Sequence, residues 1–260
     1  MTYQRGSWFR VYVPRPGARM RLFCFPYGGG AASAFHGWAQ ELPESVELVA
    51  VQYPGRQDRF GDPAPAGIPE LAEEIAAVIG PRFDVPTGFF GHSMGGVVAY
   101  EVARRLQPRF PSPLARLFVS ACRAPAARHR AGLTFEEDEM RRYIQALGGA
   151  GAKSLVDDDV WELAYPVVRN DLGWTEKYQY VPGAPLSCPI VAIAGDQDPA
   201  VTPDDVRLWK DYTIAGTDTH VLPGGHFYYE DCLPRLAGLL SEELTGSAAP
   251  TPSEPTGNWS

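Results

Sequence analysis

The chain contains no uninterrupted apolar run near the roughly 18 residues that a membrane-crossing helix needs, so no transmembrane segment is expected. Met1 to Arg10 is polar and lacks the apolar stretch of a secretory leader, so a cytoplasmic protein is expected. Cysteine is scarce: four residues in 260, widely spaced and without a C-x-x-C pair. That spacing argues against a zinc ribbon or a disulfide framework. Cys24, Cys122 and Cys188 lie in or beside apolar runs and read as reduced core thiols, with no metal site expected. Basic charge is also short, 23 Lys and Arg against 31 Asp and Glu, for a net charge of −8. Nucleic acid is a poor partner for such a surface, because phosphate neutralisation needs concentrated cations. The glycine triplet Gly28 to Gly30 fails the G-x-G-x-x-G spacing at Ser33 and lacks the lysine of a P-loop. No cofactor is expected.

What the chain has is material for a core. Its 45% hydrophobic and 12% aromatic residues suit a globular domain, and its 25 prolines and 27 glycines fall between periodic segments. Trp8 to Val13 alternates like a half-buried strand, and Pro14-Arg15-Pro16-Gly17 is a turn signal leading to a second strand, Met20 to Phe25. An antiparallel hairpin of the two is expected. Ser33 to Leu42 has apolar residues near helical spacing, Val46 to Val51 reads as a buried strand, and Pro69 to Ile79 as an amphipathic helix closed by Gly80-Pro81. A further apolar strand runs into Gly91-His92-Ser93-Met94-Gly95, with a helix from about Ser93 to Leu106 and a strand at Leu114 to Ser120. After the insertion described next come a strand at Pro189 to Ala194, a helix opened by Thr202-Pro203, a short strand at Thr219 to Leu222, and a last helix from Tyr229 to Leu244. Strands alternating with helices predict a parallel sheet covered on both faces.

The rhythm breaks between Arg123 and Ser187, where no convincing strand is found. Thr134-Phe135-Glu136-Glu137 reads as a capping box for a helix with Met140, Ile144 and Leu147 on its apolar face and Gly148-Gly149 as its stop. Asp157 to Asp159 opens a second helix whose apolar face carries Trp161, Tyr165, Val168 and Leu172, with Pro166 expected to kink or split it. The expected organisation is a core of residues 1–122 and 188–246, a helical insertion at 123–187, and a disordered Pro/Ser/Thr-rich tail at 247–260.

Four loops fall at carboxyl ends of predicted strands, where open α/β sheets collect functional groups. They are Tyr27 to Gly30, His92 to Met94, Asp196 to Pro199 and Gly224 to Phe227. G-x-S-x-G at Gly91 to Gly95 is the pattern of a nucleophile elbow. A serine hydroxyl needs an adjacent base, for which His226 is the candidate, and the imidazole needs a carboxylate to fix its tautomer. Asp198 is preferred to Asp196 because it lies farther beyond the strand and precedes Pro199, while Asp196 suits a turn-capping role. The order serine, acid, histidine is that of α/β-hydrolases. Two backbone donors are needed for the tetrahedral oxyanion: the Met94 N–H at the helix start, and the Gly28 N–H in the loop after the early strand. His92 reads as structural.

Phe25-Pro26-Tyr27-Gly28-Gly29-Gly30, Gln52-Tyr53-Pro54-Gly55-Arg56 with Arg59, and Gly91-His92-Ser93-Met94-Gly95-Gly96 resemble the type II thioesterases of polyketide and nonribosomal peptide synthesis. So do Ser120 with Ala124-Pro125, Asp171 with Tyr178 and Tyr180, Gly195 to Asp198, and Gly225-His226-Phe227. The resemblance spans about residues 20 to 240; Gly28 departs from it, since alanine is common there, but a backbone donor survives the change. It implies the α/β-hydrolase fold, a mostly parallel twisted sheet flanked by helices, with the insertion as a lid. It also implies hydrolysis of acyl thioesters on the phosphopantetheine arm of an acyl or peptidyl carrier protein. Phe135, Trp161, Tyr165 and Trp174, with Leu133 and Leu172, are the candidate lining of an acyl slot in that lid. Arg123, Arg128, His129 and Arg130, or Arg104, Arg105 and Arg109, are candidate docking patches for an acidic carrier. Gly148 to Gly151 is a candidate hinge. A monomer is expected. A free-standing esterase or lipase acting on small esters, and a non-catalytic binding protein on the same scaffold, stay open as alternatives.

Overall fold

In the computed structural model, residues 8–80, 83–107, 114–127, 136–154 and 157–246 are described. Short runs of apolar, β-branched and aromatic residues become seven strands: β1 (Phe9–Arg10), β2 (Met20–Phe25), β3 (Val46–Val51), β4 (Thr87–His92), β5 (Arg116–Ser120), β6 (Ile190–Gly195) and β7 (Thr217–Leu222). Their spatial order is β1-β3-β2-β4-β5-β6-β7, and every pairing is parallel except β1 with β3. This is the α/β-hydrolase fold. β4 and β6 are buried along their whole length, as strands covered on both faces must be, whereas edge strand β7 is mostly accessible.

Alternation along the strands divides the core in two. Phe23, Phe25, Phe89, Leu117, Val119 and Ala192 face α2 (Ile68–Ile79) and α3 (Met94–Leu106), after the short α1 (Trp38–Glu41) in chain order. Leu22, Cys24, Phe90, Phe118, Val191 and Ile193 face the other way, toward Trp38 of α1 and the residues Leu236, Leu240 and Leu244 of the C-terminal helix. Between β5 and β6 the described residues form α4 (Glu137–Leu147), α5 (Gly149–Ser154) and α6 (Asp158–Lys177), with no strand among them. Met140, Ile144, Ala152, Trp161, Val168 and Leu172 give these helices an apolar cluster of their own. The chain then completes α7 (Pro203–Arg207), capped reciprocally by Thr202 and Asp205, and α8 (Tyr229–Thr245). Among the described residues no helix is long and apolar enough to cross a membrane.

Three sequence expectations are corrected. The first strand is only two residues long and pairs antiparallel with β3, not as a hairpin with β2. β2 is already occupied on both sides by the parallel strands β3 and β4, so β1 takes the outer edge of β3 instead. Pro166 does not split α6, which runs unbroken for 20 residues with the proline inside it. Helix α4 starts at Glu137 with Glu136 at its N-cap, and α5, which periodicity did not reveal, begins at Gly149, the second of the positive-φ pair Gly148 and Gly149. Leu133, Thr134, Phe135 and the tail at 247–260 lie outside the described residues.

Candidate active site

Ser93 stands between the end of β4 and the start of α3 with φ 55° and ψ −119°, a conformation that is costly for a residue bearing a side chain. Its N–H donates to the Ser120 carbonyl at 2.8 Å, which ties the strained residue to β5. The turn closes only because its flanks lack Cβ atoms. A Cβ at Gly91 would collide with the Gly95 carbonyl, and one at Gly95 with the carbonyls of Phe25 and Pro26. The G-x-S-x-G spacing is therefore a packing requirement between β4, α3 and the end of β2.

The other two loops converge in the same way. A Cβ at Gly195 would collide with the carbonyls of Gly224 and Gly225, so its absence lets the loop after β6 touch the loop after β7. His226 Nδ1 lies 2.8 Å from Asp198 Oδ2, and both side chains are almost wholly buried. The other carboxylate oxygen, Asp198 Oδ1, accepts the N–H groups of Ala200 at 2.8 Å and Val201 at 3.1 Å. These bonds fix the plane of the carboxylate. Asp196 instead accepts the Gly224 N–H at 2.8 Å and braces the turn.

Ser93, Met94, Gly28 and His226 all line a cavity of about 320 Å³. Met94 is the first residue of α3, where backbone N–H groups have no intrahelical partner and the helix dipole favours negative charge. Gly28 faces it closely enough that a Cβ there would stand 3.9 Å from the Met94 Cβ. Beyond these polar groups the wall is largely apolar: Ile144, Leu147, Ala152, Ala164, Val168 and Leu172, all from α4, α5 and α6.

His92 sits behind His226, with ring centroids 5.0 Å apart, and is fully buried. Its Nδ1 is 2.9 Å from Ser120 Oγ, which is 2.7 Å from the Tyr228 hydroxyl. Burial first, and the neighbouring His226 second, hold its pKa well below the ordinary histidine value. It is a neutral strut against the loop that carries His226.

The aromatic residues expected to line the acyl slot are placed elsewhere. Trp161 stacks at 5.5 Å on Tyr165 and donates its indole N–H to Glu137 at 2.6 Å, so both rings serve the cohesion of the insertion. Trp174 faces the sheet-side core with Leu186 and Cys188. None of the three borders the cavity; the wall is made by the aliphatic residues one turn away. Phe135 lies outside the described residues, as do Arg109, Arg128, His129 and Arg130. The remaining arginines of the two suggested docking patches are engaged: Arg104 and Arg105 with Glu101, Arg105 also with Glu73, and Arg123 with Asp205.

One constellation that reasoning from sequence did not assemble lies beside Gly28. Asp171 of α6 has no exposed surface and receives both Arg56 Nη1 at 2.8 Å and Nη2 at 2.9 Å. The same carboxylate accepts the Gly29 N–H at 2.7 Å, and Arg56 Nη1 also donates to the Gly30 carbonyl at 2.8 Å. Gln52 completes the cage, accepting from Ala32 N–H at 2.8 Å and donating to the Arg56 carbonyl at 3.0 Å. Its signal in the sequence was a Pro-Gly-Arg block and a helical aspartate that matched the resemblance without any role attached.

Comparison with known proteins fixes the family. The thioesterase domain model matches residues 20–244, nearly the whole described chain. The chain belongs to the thioesterase family. It is 37% identical over 241 residues to thioesterase PikA5 of Streptomyces venezuelae, covering 92% of this chain and 86% of that one. The type II thioesterase BorB from the borrelidin biosynthetic cluster superposes with a TM-score of 0.85 at 36% identity, over 94% of this chain and all of the other. RedJ, a thioesterase of the prodiginine biosynthetic pathway in Streptomyces coelicolor, gives a TM-score of 0.79 at 36% identity, over 88% of this chain and 87% of the other. This thioesterase is therefore a thioester hydrolase on the α/β-hydrolase scaffold, related to the type II enzymes of polyketide and nonribosomal peptide pathways.

Proposed function

We infer that this thioesterase hydrolyses acyl groups from the phosphopantetheine arm of an acyl or peptidyl carrier protein, through a triad of Ser93, His226 and Asp198 and an acyl-enzyme intermediate. The observation that carries the reading is the 2.8 Å bond between His226 Nδ1 and Asp198, in a cavity shared with a serine held at φ 55°. A base whose second nitrogen is held by a buried carboxylate has its other nitrogen free to take the serine proton.

In this mechanism Ser93 Oγ attacks the thioester carbonyl and His226 Nε2 accepts its proton. The carbonyl oxygen becomes an oxyanion that accepts from the N–H groups of Met94 and Gly28. Collapse breaks the C–S bond, and the pantetheine sulfur leaves with the proton from Nε2. A thiol with a pKa of about 8.5 needs less help to leave than an alcohol, so the acyl-transfer half is the easier one. Water then attacks the acyl-serine ester, giving its proton to His226; collapse returns that proton to Ser93 and releases the acid. Asp198 stays ionised and stabilises the imidazolium at each step.

The helical insertion, residues 123–187, acts as the lid over the acyl chain. A largely aliphatic wall from α4, α5 and α6 accepts an apolar tail, with Thr175 and Glu176 of α6 among the few polar side chains on it. A volume of about 320 Å³ lies at the low end of the roughly 300–1,000 Å³ range of ligand pockets. That size suits a short acyl unit better than a finished product, as an editing enzyme requires.

The test is mass spectrometry of a panel of acylated carrier proteins before and after incubation with the enzyme. Loss of the acyl mass with return of the free pantetheine thiol is expected for short apolar acyl groups. Comparable kcat/KM on free small esters and on carrier-bound thioesters would instead favour the esterase alternative.

A further inference from the structure

The donor assigned to Gly28 belongs to a loop that the sheet alone does not hold. Gly29 has φ 81°, and its N–H is bound by a carboxylate that arrives from α6, 142 residues away in sequence. The next carbonyl, on Gly30, is held by the guanidinium bound to that same carboxylate. The Gly28 backbone is thus fixed on its C-terminal side by Asp171 and Arg56. On the other side it is pressed toward Met94, and a Cβ on Gly28 would stand 3.6 Å from the Asp171 Cβ. Val168, one turn before Asp171, touches Gly29 so tightly that a Cβ there would come within 2.9 Å of its Cγ2. Val168 and Leu172 are at the same time part of the acyl wall. One face of α6 therefore touches the acyl cavity and grips the glycine loop.

We propose that Asp171, held by Arg56, is a positioning residue that sets the Gly28 N–H for the oxyanion and makes that setting depend on how α6 is seated. The inference rests on the serine mechanism above and adds to it a coupling between acyl recognition and catalytic power. Stabilising an oxyanion needs its donor placed before the charge develops, and a displacement of the order of 1 Å can cost about 100-fold. A bidentate guanidinium–carboxylate pair fixes geometry more tightly than a single bond. An acyl chain resting on Val168 and Leu172 keeps α6, and hence Asp171, at the loop; a chain too short to reach them leaves the donor less well defined.

Two probes distinguish positioning from simple support of the cavity. One is an acyl trifluoromethyl ketone, which Ser93 converts to a tetrahedral oxyanion; the other is the corresponding alcohol, which fills the cavity but forms no adduct. In Asp171→Asn the ketone is expected to bind about 10- to 100-fold more weakly, with the alcohol unchanged. Asp171→Asn leaves Arg56 buried without its counter-charge, so the double variant Arg56→Met/Asp171→Leu is measured as well, since apolar replacement of a buried ion pair commonly preserves stability. It is expected to lose ketone affinity and keep alcohol affinity, while Arg56→Lys, which keeps the charge but not the fork, falls between it and wild type. Equal weakening of both probes, or of neither, overturns the proposal. Failure of the wild-type enzyme to form the ketone adduct at all would overturn the triad reading itself, and the positioning role with it.

Discussion

At the carboxyl edge of the sheet, positions are set by backbone against backbone; in the described part of the insertion they rest on side chains, in a small apolar cluster, a buried ion pair and a tryptophan packed on the sheet-side core. Gly91, Gly95 and Gly195 admit no side chain, and Ser93, Asp198 and His226 follow from the contacts those glycines permit. Across the cavity, α4, α5 and α6 share six buried apolar residues and reach the rest of the protein through Asp171 and through Trp174, which packs in the sheet-side core. The first region leaves little room to move and suits chemistry that is the same for every substrate. The second can vary its wall without disturbing the sheet, and suits selection among acyl chains.

Substitutions that strike only one side sharpen this contrast. The largest effect is expected for Ser93→Ala, which removes the proposed nucleophile: kcat on an acyl-carrier thioester falls by about 10⁴- to 10⁶-fold, while calorimetry shows carrier affinity retained. Asp198→Asn leaves the shape of the site but not the tautomer control proposed for it, and a drop of about 10⁴-fold in kcat is expected in the same assay. On the other side, Trp161→Ala opens a void in the insertion's cluster at a cost of about 3–5 kcal/mol. Hydrogen exchange should then rise in α4 and α6 and stay low in β4 and β6; a uniform rise would show that the two regions unfold as one.

Smaller effects test the wall and the strut. Ile144→Trp fills part of the cavity, and kcat/KM for the longer acyl chains is expected to fall by about 10-fold or more, with the shortest chain unaffected. His92 supplies a pH signature. Its folded pKa is depressed by burial, so below about pH 6.5 the unfolded chain binds a proton that the folded one refuses. Stability is therefore intact above that pH and falls as pH drops toward the folded pKa, by about 1.4 kcal/mol per pH unit for one proton. In His92→Gln that component is absent, which urea titrations at several pH values can read.

Much of the sheet edge was legible in the sequence because its rules are local. β2 and β3 have the bounds their apolar runs predict, and the elbow is legible because three glycine-or-serine positions within five residues have one steric explanation. Asp196 and Asp198 could be told apart by their distance from the strand, and each makes the contact that distance suggested. What stayed hidden was whatever depends on a remote partner. The strand at Phe9 pairs with β3 because of which edge is open, a property of the assembled sheet. Trp161 and Tyr165 show helical spacing and Trp174 falls on another face of the same helix, but spacing does not say which apolar neighbour each ring meets; the first two close the insertion's own cluster and the third joins the core. Arg56 and Asp171 lie 115 residues apart, and neither has a local reason to be charged.

The most direct test of the central claim is rapid acid quench of the enzyme with an acylated carrier protein, followed by peptide mass spectrometry. The acyl mass is expected on the peptide containing Ser93, appearing before free acid and absent in Ser93→Ala. Turnover of the carrier thioester with no acyl mass on that peptide, or with the mass on another residue, would contradict the account.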